Sequence, residues 1–201
     1  MRKFSNRYIF IYSALLVAVV AIILAVVAVS LKPLQQRNQQ CEKKQMLLRT
    51  IGVEASAKEV EGLYEQYIEE SVTSDGLDCW KVNSGAAGGR FQGKEITIFP
   101  FRGNGLWGPI WGYIAFDENL TIVGAVFDHK GETPGLGGEI ATKGFADRFI
   151  GKSFKDMPVV LKKHADSRSV HEVDAISGGT MTSNGVTEML AAGWQLYMKG
   201  Q

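Results

Sequence analysis

The sequence predicts an α+β domain carried behind a single N-terminal transmembrane helix. Three features lead to that prediction. An uncharged and almost wholly apolar run extends from Tyr8 to Leu31. Segments rich in β-branched and aromatic residues then follow one another between residues 95 and 128. Amphipathic helical patterns flank that block, one before it and one at the C-terminal end. Strands in series with helices segregated to the sides describe an antiparallel sheet packed by helices, and not alternating βα units.

The apolar run is taken first. At helical rise Tyr8–Leu31 spans roughly 36 Å, enough to cross a hydrocarbon core with some tilt. It is longer than the apolar stretch of a cleaved signal peptide, although Ala28-Val29-Ser30 resembles a cleavage site. Arg2, Lys3 and Arg7 precede it, whereas Lys32 and Arg37 follow. That basic bias places the N-terminus in the cytoplasm and the rest of the chain outside the inner membrane. The expected organisation is a cytoplasmic tail (1–7), the span (8–31), a Gln-rich stalk or helical continuation (32–50) and one extracytoplasmic domain (51–201). Roughly 170 residues follow the span, sufficient for one domain with a real core. With 22 Lys+Arg against 21 Asp+Glu, the formal net charge of +1 gives no electrostatic case for nucleic acid. Cys41 and Cys79 stand far apart without a CxxC pattern. Their spacing permits a disulfide without requiring one.

In the soluble part, Ser56 followed by Glu59 fits a capping box. Val60, Leu63, Tyr64, Tyr67 and Ile68 then recur with helical period, opposite Glu61, Glu65, Gln66 and Glu69. Thr73 to Gly93, centred on Ser84–Gly89, is turn-rich and reads as a loop. Strands are expected at Glu95–Phe101, Trp111–Phe116 and Thr121–Asp128, the last two joined into a hairpin by Asp117-Glu118-Asn119-Leu120. A short helix near Thr142–Phe149, a strand at Val159–Leu161 and a final helix over Asn184–Met198 complete the reading.

Three glycine-bearing segments are the candidates for chemistry. Asp174-Ala175-Ile176-Ser177-Gly178-Gly179-Thr180 places hydroxyls beside a glycine pair ahead of the last helix, with Thr182 and Ser183 just after. Such a layout either presents a hydroxyl and backbone N–H groups to a phosphate or lets Thr182 or Ser183 cap the helix. His129–Glu139 contains Glu132-Thr133-Pro134-Gly135-Leu136-Gly137, which is either an elaborate tight turn or a loop that a ligand approaches closely. Gly103–Tyr113 carries Trp107, Trp111 and Tyr113, which either stack on a ring or pack in a core or against a partner. His129, His164 and His171 are dispersed, with no partner at metal-ligand spacing, so no metal site is expected. No residue is read as catalytic, and no GxGxxG fingerprint follows a strand.

Taken together, the N-terminal span, the Gly105-Leu106-Trp107 and Gly112-Tyr113 stretch, the Glu-Thr-Pro-Gly-Leu-Gly loop and the Asp-x-x-Ser-Gly-x-Thr motif resemble the FMN-binding subunits of membrane redox pumps. The nearest resemblance is to the C subunits of sodium-translocating NADH:quinone reductases. It implies FMN joined by a phosphoester to the last threonine of the motif, here Thr180, with Thr182 as a second possible acceptor. Asp174, Ser177, Gly178 and Gly179 would shape the phosphate end, and Glu132, Thr133, Gly135 and Leu136 would lie against the isoalloxazine. Glu132 and Asp174, being acidic, are expected to accept backbone N–H bonds and hold their turns. Gly179 departs from the Ala that the family usually shows. The resemblance further implies a relay of electrons from NADH towards quinone while sodium is pumped, neighbouring membrane subunits as partners, and a separate flavin transferase that takes FMN from FAD. Two alternatives differ in class: the G subunit of a ferredoxin:NAD oxidoreductase complex, and a cofactor-free membrane-tethered adaptor.

Overall fold

The computed structural model describes residues 5–74, 77–83, 85, 91 and 93–198. The chain divides into two compact units, Met1–Glu42 and Lys43–Gln201. The first is the greater part of a long helix, α1 (Asn6–Thr50), which contains Pro33. A window within α1 reaches a mean hydropathy of 3.2, and its apolar side chains are exposed, as a membrane-embedded surface requires. Among the described residues it is the one helix long and apolar enough to cross a bilayer. The polar stretch after Leu31 is helical, and its last turns belong to the second unit, which begins at Lys43 and not at residue 51. The reason is visible in the side chains: Met46, Leu47, Leu48 and Thr50 are buried.

The second unit is built on a five-stranded antiparallel meander, in the order β1-β2-β3-β4-β5. The strands are β1 (Ile68–Ser74), β2 (Leu77–Val82), β3 (Ile96–Asn104), β4 (Pro109–Phe116) and β5 (Ile122–His129). The helix α2 (Val60–Tyr67) precedes them. Its capping box does not form as expected: the Ser56 hydroxyl donates to the Glu59 carboxylate at 2.6 Å, with no side-chain cap on the helix. Nor does Ile68 continue the helix, since it turns extended and opens β1, opposite Val82. The expected loop over Thr73–Gly93 thus contains the end of β1 and all of β2. Of its glycine-rich centre, residues 84 and 86–89 lie outside the described residues.

The β4–β5 hairpin matches its sequence signature. Asp117 Oδ1 accepts the N–H groups of Asn119 and Thr121 at 3.0 and 2.9 Å, which closes the turn locally. After β5 come a 3-10 turn (Gly137–Ala141), the short helix α3 (Lys143–Ala146) and a further 3-10 turn (Asp147–Phe149). Thr142 caps α3 by accepting the Phe145 N–H. Two short parallel strands, β6 (Val160–Lys162) and β7 (Glu172–Asp174), then lead to α4 (Thr180–Met198). β7 has only three residues, too few to carry a periodic signal.

One core joins these parts. Phe101, Phe116 and Phe127 from the sheet meet Phe145, Phe149 and Phe154 and the α4 side chains Val186, Met189 and Leu190. Each of these large side chains contributes about 1.5–3 kcal/mol on burial. The helix α4 comes down directly onto β3. A methyl group on Gly185 would run into the Asn104 carbonyl oxygen, and one on Gly193 into the Phe101 ring. These two glycines set how close the helix lies, and so where its first residue is held.

Candidate functional site

The helix α4 begins four residues before the expected Asn184. Its start is prepared by a turn in which the Gly179 N–H bonds the Ile176 carbonyl at 3.1 Å. Gly178 occupies the third position of that turn at φ +75°, a left-handed conformation that side chains with a Cβ rarely adopt. The Ser183 N–H then bonds the Gly179 carbonyl at 2.9 Å and opens the helix. It follows that the N–H groups of Thr180, Met181 and Thr182 precede the first intrahelical donor, have no acceptor within the helix and point out of its start. A helix of 19 residues adds the positive end of its dipole there. Thr180, its first residue, is exposed, as are Ser177 and Gly178.

The other hydroxyls of this segment have different duties. Thr182 is only 2 % exposed, and its hydroxyl donates to Glu132 Oε2 at 2.6 Å. It faces inward, away from the surface on which Thr180 stands, and this corrects its reading as a second acceptor. Ser183 is equally buried and accepts the Ile176 N–H at 3.1 Å, closing the turn from inside. Neither residue is the cap that precedes the helix, because both lie within its first turn.

The loop after β5 faces this helix start. Thr133-Pro134-Gly135-Leu136 forms a turn closed by the Leu136 N–H on the Thr133 carbonyl at 3.2 Å, with Gly135 at φ +74°. Proline second and glycine third is the sequence such a turn demands. Leu136 projects to the neighbouring loop: a methyl on Gly178 would stand 2.7 Å from Leu136 Cδ2. Thr133, Gly135 and Leu136 are exposed, whereas Glu132 is 4 % exposed. The two loops therefore meet where Leu136 faces Gly178 and Gly137 faces Gly179, and Glu132 is bonded to Thr182 beside them.

Glu132 is the hub. Its Oε1 accepts the Trp107 N–H at 2.8 Å, while Oε2 accepts the Thr182 hydroxyl. Its own N–H bonds His129 Nδ1 at 3.2 Å. Burial pushes the Glu132 carboxyl up, but the Thr182 hydroxyl, the Trp107 N–H, the nearby His129 and the Leu106 N–H together outweigh it and hold the group below the usual carboxylate range. Asp174 also serves a turn, accepting the Ala165 N–H at 3.1 Å from its exposed position at the end of β7. Its carbonyl accepts from Arg148 at 3.0 Å.

The aromatic segment divides in two. Tyr113 is buried and meets Trp80 edge-on, with ring centroids 5.6 Å apart. Trp107 is 68 % exposed at the tip of the β3–β4 hairpin, closed by the Gly105 N–H on the Gly108 carbonyl at 2.8 Å. Sequence reasoning placed this tip among the candidates but missed that Glu132 grips it. A carboxylate set between the turn glycines Gly131 and Gly135 was the available sign.

Comparisons with known proteins bear on this arrangement. A model of the FMN-binding domain family matches residues 105–195, which enclose the hairpin tip, both turns and the start of α4. The C subunit of the Na(+)-translocating NADH-quinone reductase of Vibrio vulnificus is 30% identical, covering 84% of this chain and 82% of its own. The chain belongs to this family of C subunits. A relative of the same name from Haemophilus ducreyi is 28% identical over 86% of this chain. The crystal structure of the Parabacteroides distasonis relative of that name superposes with a TM-score of 0.73 at 34% identity, covering 84% of this chain and 96% of that one. The Shewanella oneidensis NqrC structure, at 22% identity and a TM-score of 0.62, shares the fold.

Proposed function

We propose that this chain is the membrane-anchored electron-transfer subunit of a sodium-translocating NADH:quinone reductase, with FMN esterified through its phosphate to Thr180. The observation that carries the reading is the placement of an exposed threonine hydroxyl as the first residue of α4, beside N–H groups that have no intrahelical acceptor. The donor set fits a phosphate: it is neutral, hydrogen-rich and open to solvent. FMN, when bound, supplies the ring that accepts and donates electrons. The chain's own residues bind and orient. The helix start and the Ile176–Gly179 turn hold the phosphate end, and Leu136 with the Thr133–Leu136 turn offers an apolar edge to the ring.

A separate flavin transferase performs the attachment on this reading. The Thr180 oxygen takes the FMN phosphoryl group from FAD, loses its proton, and AMP departs. Family membership supports neighbouring subunits of the same redox pump as partners. The apolar run of α1 supports a single-pass anchor in a bacterial inner membrane, with the N-terminus cytoplasmic and the flavin domain periplasmic.

The test is peptide mass mapping of the full chain co-expressed with a flavin transferase. The peptide containing Thr180 should gain the mass of FMN less water, and the denatured band should fluoresce under ultraviolet light. Thr180→Ala should lose both signals. A colourless parent chain overturns the reading in favour of an adaptor, and label retained in Thr180→Ala overturns the choice of residue.

A further inference from the structure

Beneath the proposed phosphoester site lies a polar latch that joins three segments distant in sequence. Glu132, on the loop after β5, bonds the Trp107 N–H of the β3–β4 hairpin and the Thr182 hydroxyl in the first turn of α4, at 2.8 and 2.6 Å. The Thr182 contact is buried and the Trp107 contact half-buried, with Glu132 and Thr182 themselves 4 and 2 % exposed. The backbone is shaped around the pair. A methyl on Gly105 would stand 2.5 Å from Glu132 Oε1, and one on Gly137 would run into both the Thr182 hydroxyl and Glu132 Oε2. Glycine at both positions lets two further chain segments close over the carboxylate.

We infer that Glu132 is a positioning residue for flavin attachment: through Thr182 it fixes the first turn of α4, and through Trp107 it ties the exposed hairpin tip to the same point. Thr182 lies two residues after Thr180 on that turn. Its hydroxyl therefore sets the rotation of the helix start, and with it the direction of the Thr180 oxygen and of the free N–H groups. A buried carboxylate suits this task better than an apolar contact, because hydrogen bonds specify direction whereas burial does not. Nor is the pair merely tolerated. Removal of one partner leaves the other buried without its bond, so the site has no relaxed alternative at low cost.

The inference rests on the reading of Thr180 as the flavin acceptor, and its test separates the two. Full-length parent, Glu132→Ala, Glu132→Gln, Thr182→Val, Thr182→Ser and the double variant Glu132→Ala/Thr182→Val are incubated with flavin transferase and FAD. The rate of covalent fluorescence is followed, and each variant's melting temperature is measured without flavin. Ile122→Val, a core change at the start of β5, serves as a control for destabilisation alone. Glu132→Ala and Thr182→Val should each slow attachment by about tenfold or more, the scale of a small misplacement of a reacting group. The double variant should be no slower than either single one. Thr182→Ser should restore the parent rate, and Glu132→Gln, which keeps an acceptor for Trp107, should recover most of it.

The inference is overturned if Glu132→Ala labels as fast as Ile122→Val once compared at equal fraction folded. It is also overturned if the two single losses multiply in the double variant, because the residues would then act separately. Should Glu132→Ala fail to fold, Thr182→Val against Thr182→Ser decides alone: equal rates sink the latch, and a slow Val beside a parent-like Ser supports it. Failure of the underlying reading looks different, since the parent itself would then take no label at Thr180.

Discussion

The two ends of α4 are held by different kinds of force. At its C-terminal half the helix is fixed by packing: Gly193 lies on the Phe101 ring, and Tyr197 sits 4.2 Å from the Phe99 ring centroid and 5.3 Å from that of Phe101. Two hydrogen bonds finish that end, from Trp194 Nε1 to the Phe154 carbonyl and from the Tyr197 hydroxyl to the Pro100 carbonyl. At its first turn the helix is tied by side-chain hydrogen bonds. Thr182 and Ser183 hold it by hydroxyl bonds to Glu132 and to the Ile176 N–H, and Met181 is 58 % exposed beside Thr180. Packing supplies stability without much direction, whereas short hydrogen bonds supply direction at modest net energy. One helix thus carries a firm root and a finely aimed tip.

Four measurements sharpen or break that contrast. The largest effect falls at the tip and leaves the root untouched. Thr180→Ala should abolish denaturation-resistant flavin fluorescence while shifting stability by no more than about 0.5 kcal/mol, as expected for an exposed side chain. A large drop in melting temperature would show that Thr180 belongs to the fold and not to the site.

Next come the glycines that seat the helix. Gly185→Ala should cost about 3 kcal/mol, because its methyl meets the Asn104 carbonyl and backbone yields poorly. Gly193→Ala should cost about 1–2 kcal/mol in urea unfolding, since the Phe101 ring can tilt and alanine gains helix propensity. Equal costs at the two positions would argue against a rigid seat near the tip.

The third measurement uses acid. The carboxyl of Glu132 is depressed in the folded chain, so its stabilising contribution is fully present above the unfolded value of about 4.3 and is lost as pH falls through the lower folded value. The stability advantage of the parent over Glu132→Gln, followed by chemical unfolding from pH 7 to pH 3, should be constant at first and shrink only below about pH 5. An advantage that persists unchanged at pH 3 would mean that the carboxylate charge contributes nothing.

The smallest effect is expected at Gly179. A methyl there points inward, 3.0 Å from Ile176 Cγ2 and 3.4 Å from the Gly137 N. Gly179→Ala should therefore alter stability by less than about 1 kcal/mol if Ile176 shifts slightly, and should leave the rate of flavin attachment within about twofold of the parent. A pronounced change in rate without a change in stability would mean that the transferase reads this position directly.

Much of the plan was written locally. The apolar run of α1, the Asp117–Leu120 hairpin turn, and the proline and glycine of the Thr133–Leu136 turn are each determined by neighbouring residues, so the sequence alone indicated them. The loops holding Thr180 and Leu136 were legible for the same reason, since glycine at fixed offsets marks turns. Strands β1, β2 and β7 were not, because their signals are short or lie beside a glycine-rich stretch, and pairing across the sheet decides them. Only the tertiary structure showed that the helix starts at Thr180, which puts Thr182 on the inward face with Val186 and Thr180 on the opposite one, and that Thr182 there meets Glu132, fifty positions away in the chain. Direction of a side chain is a property of the partner that meets it, and that partner arrives only when the sheet, the loop and the helix close on one another.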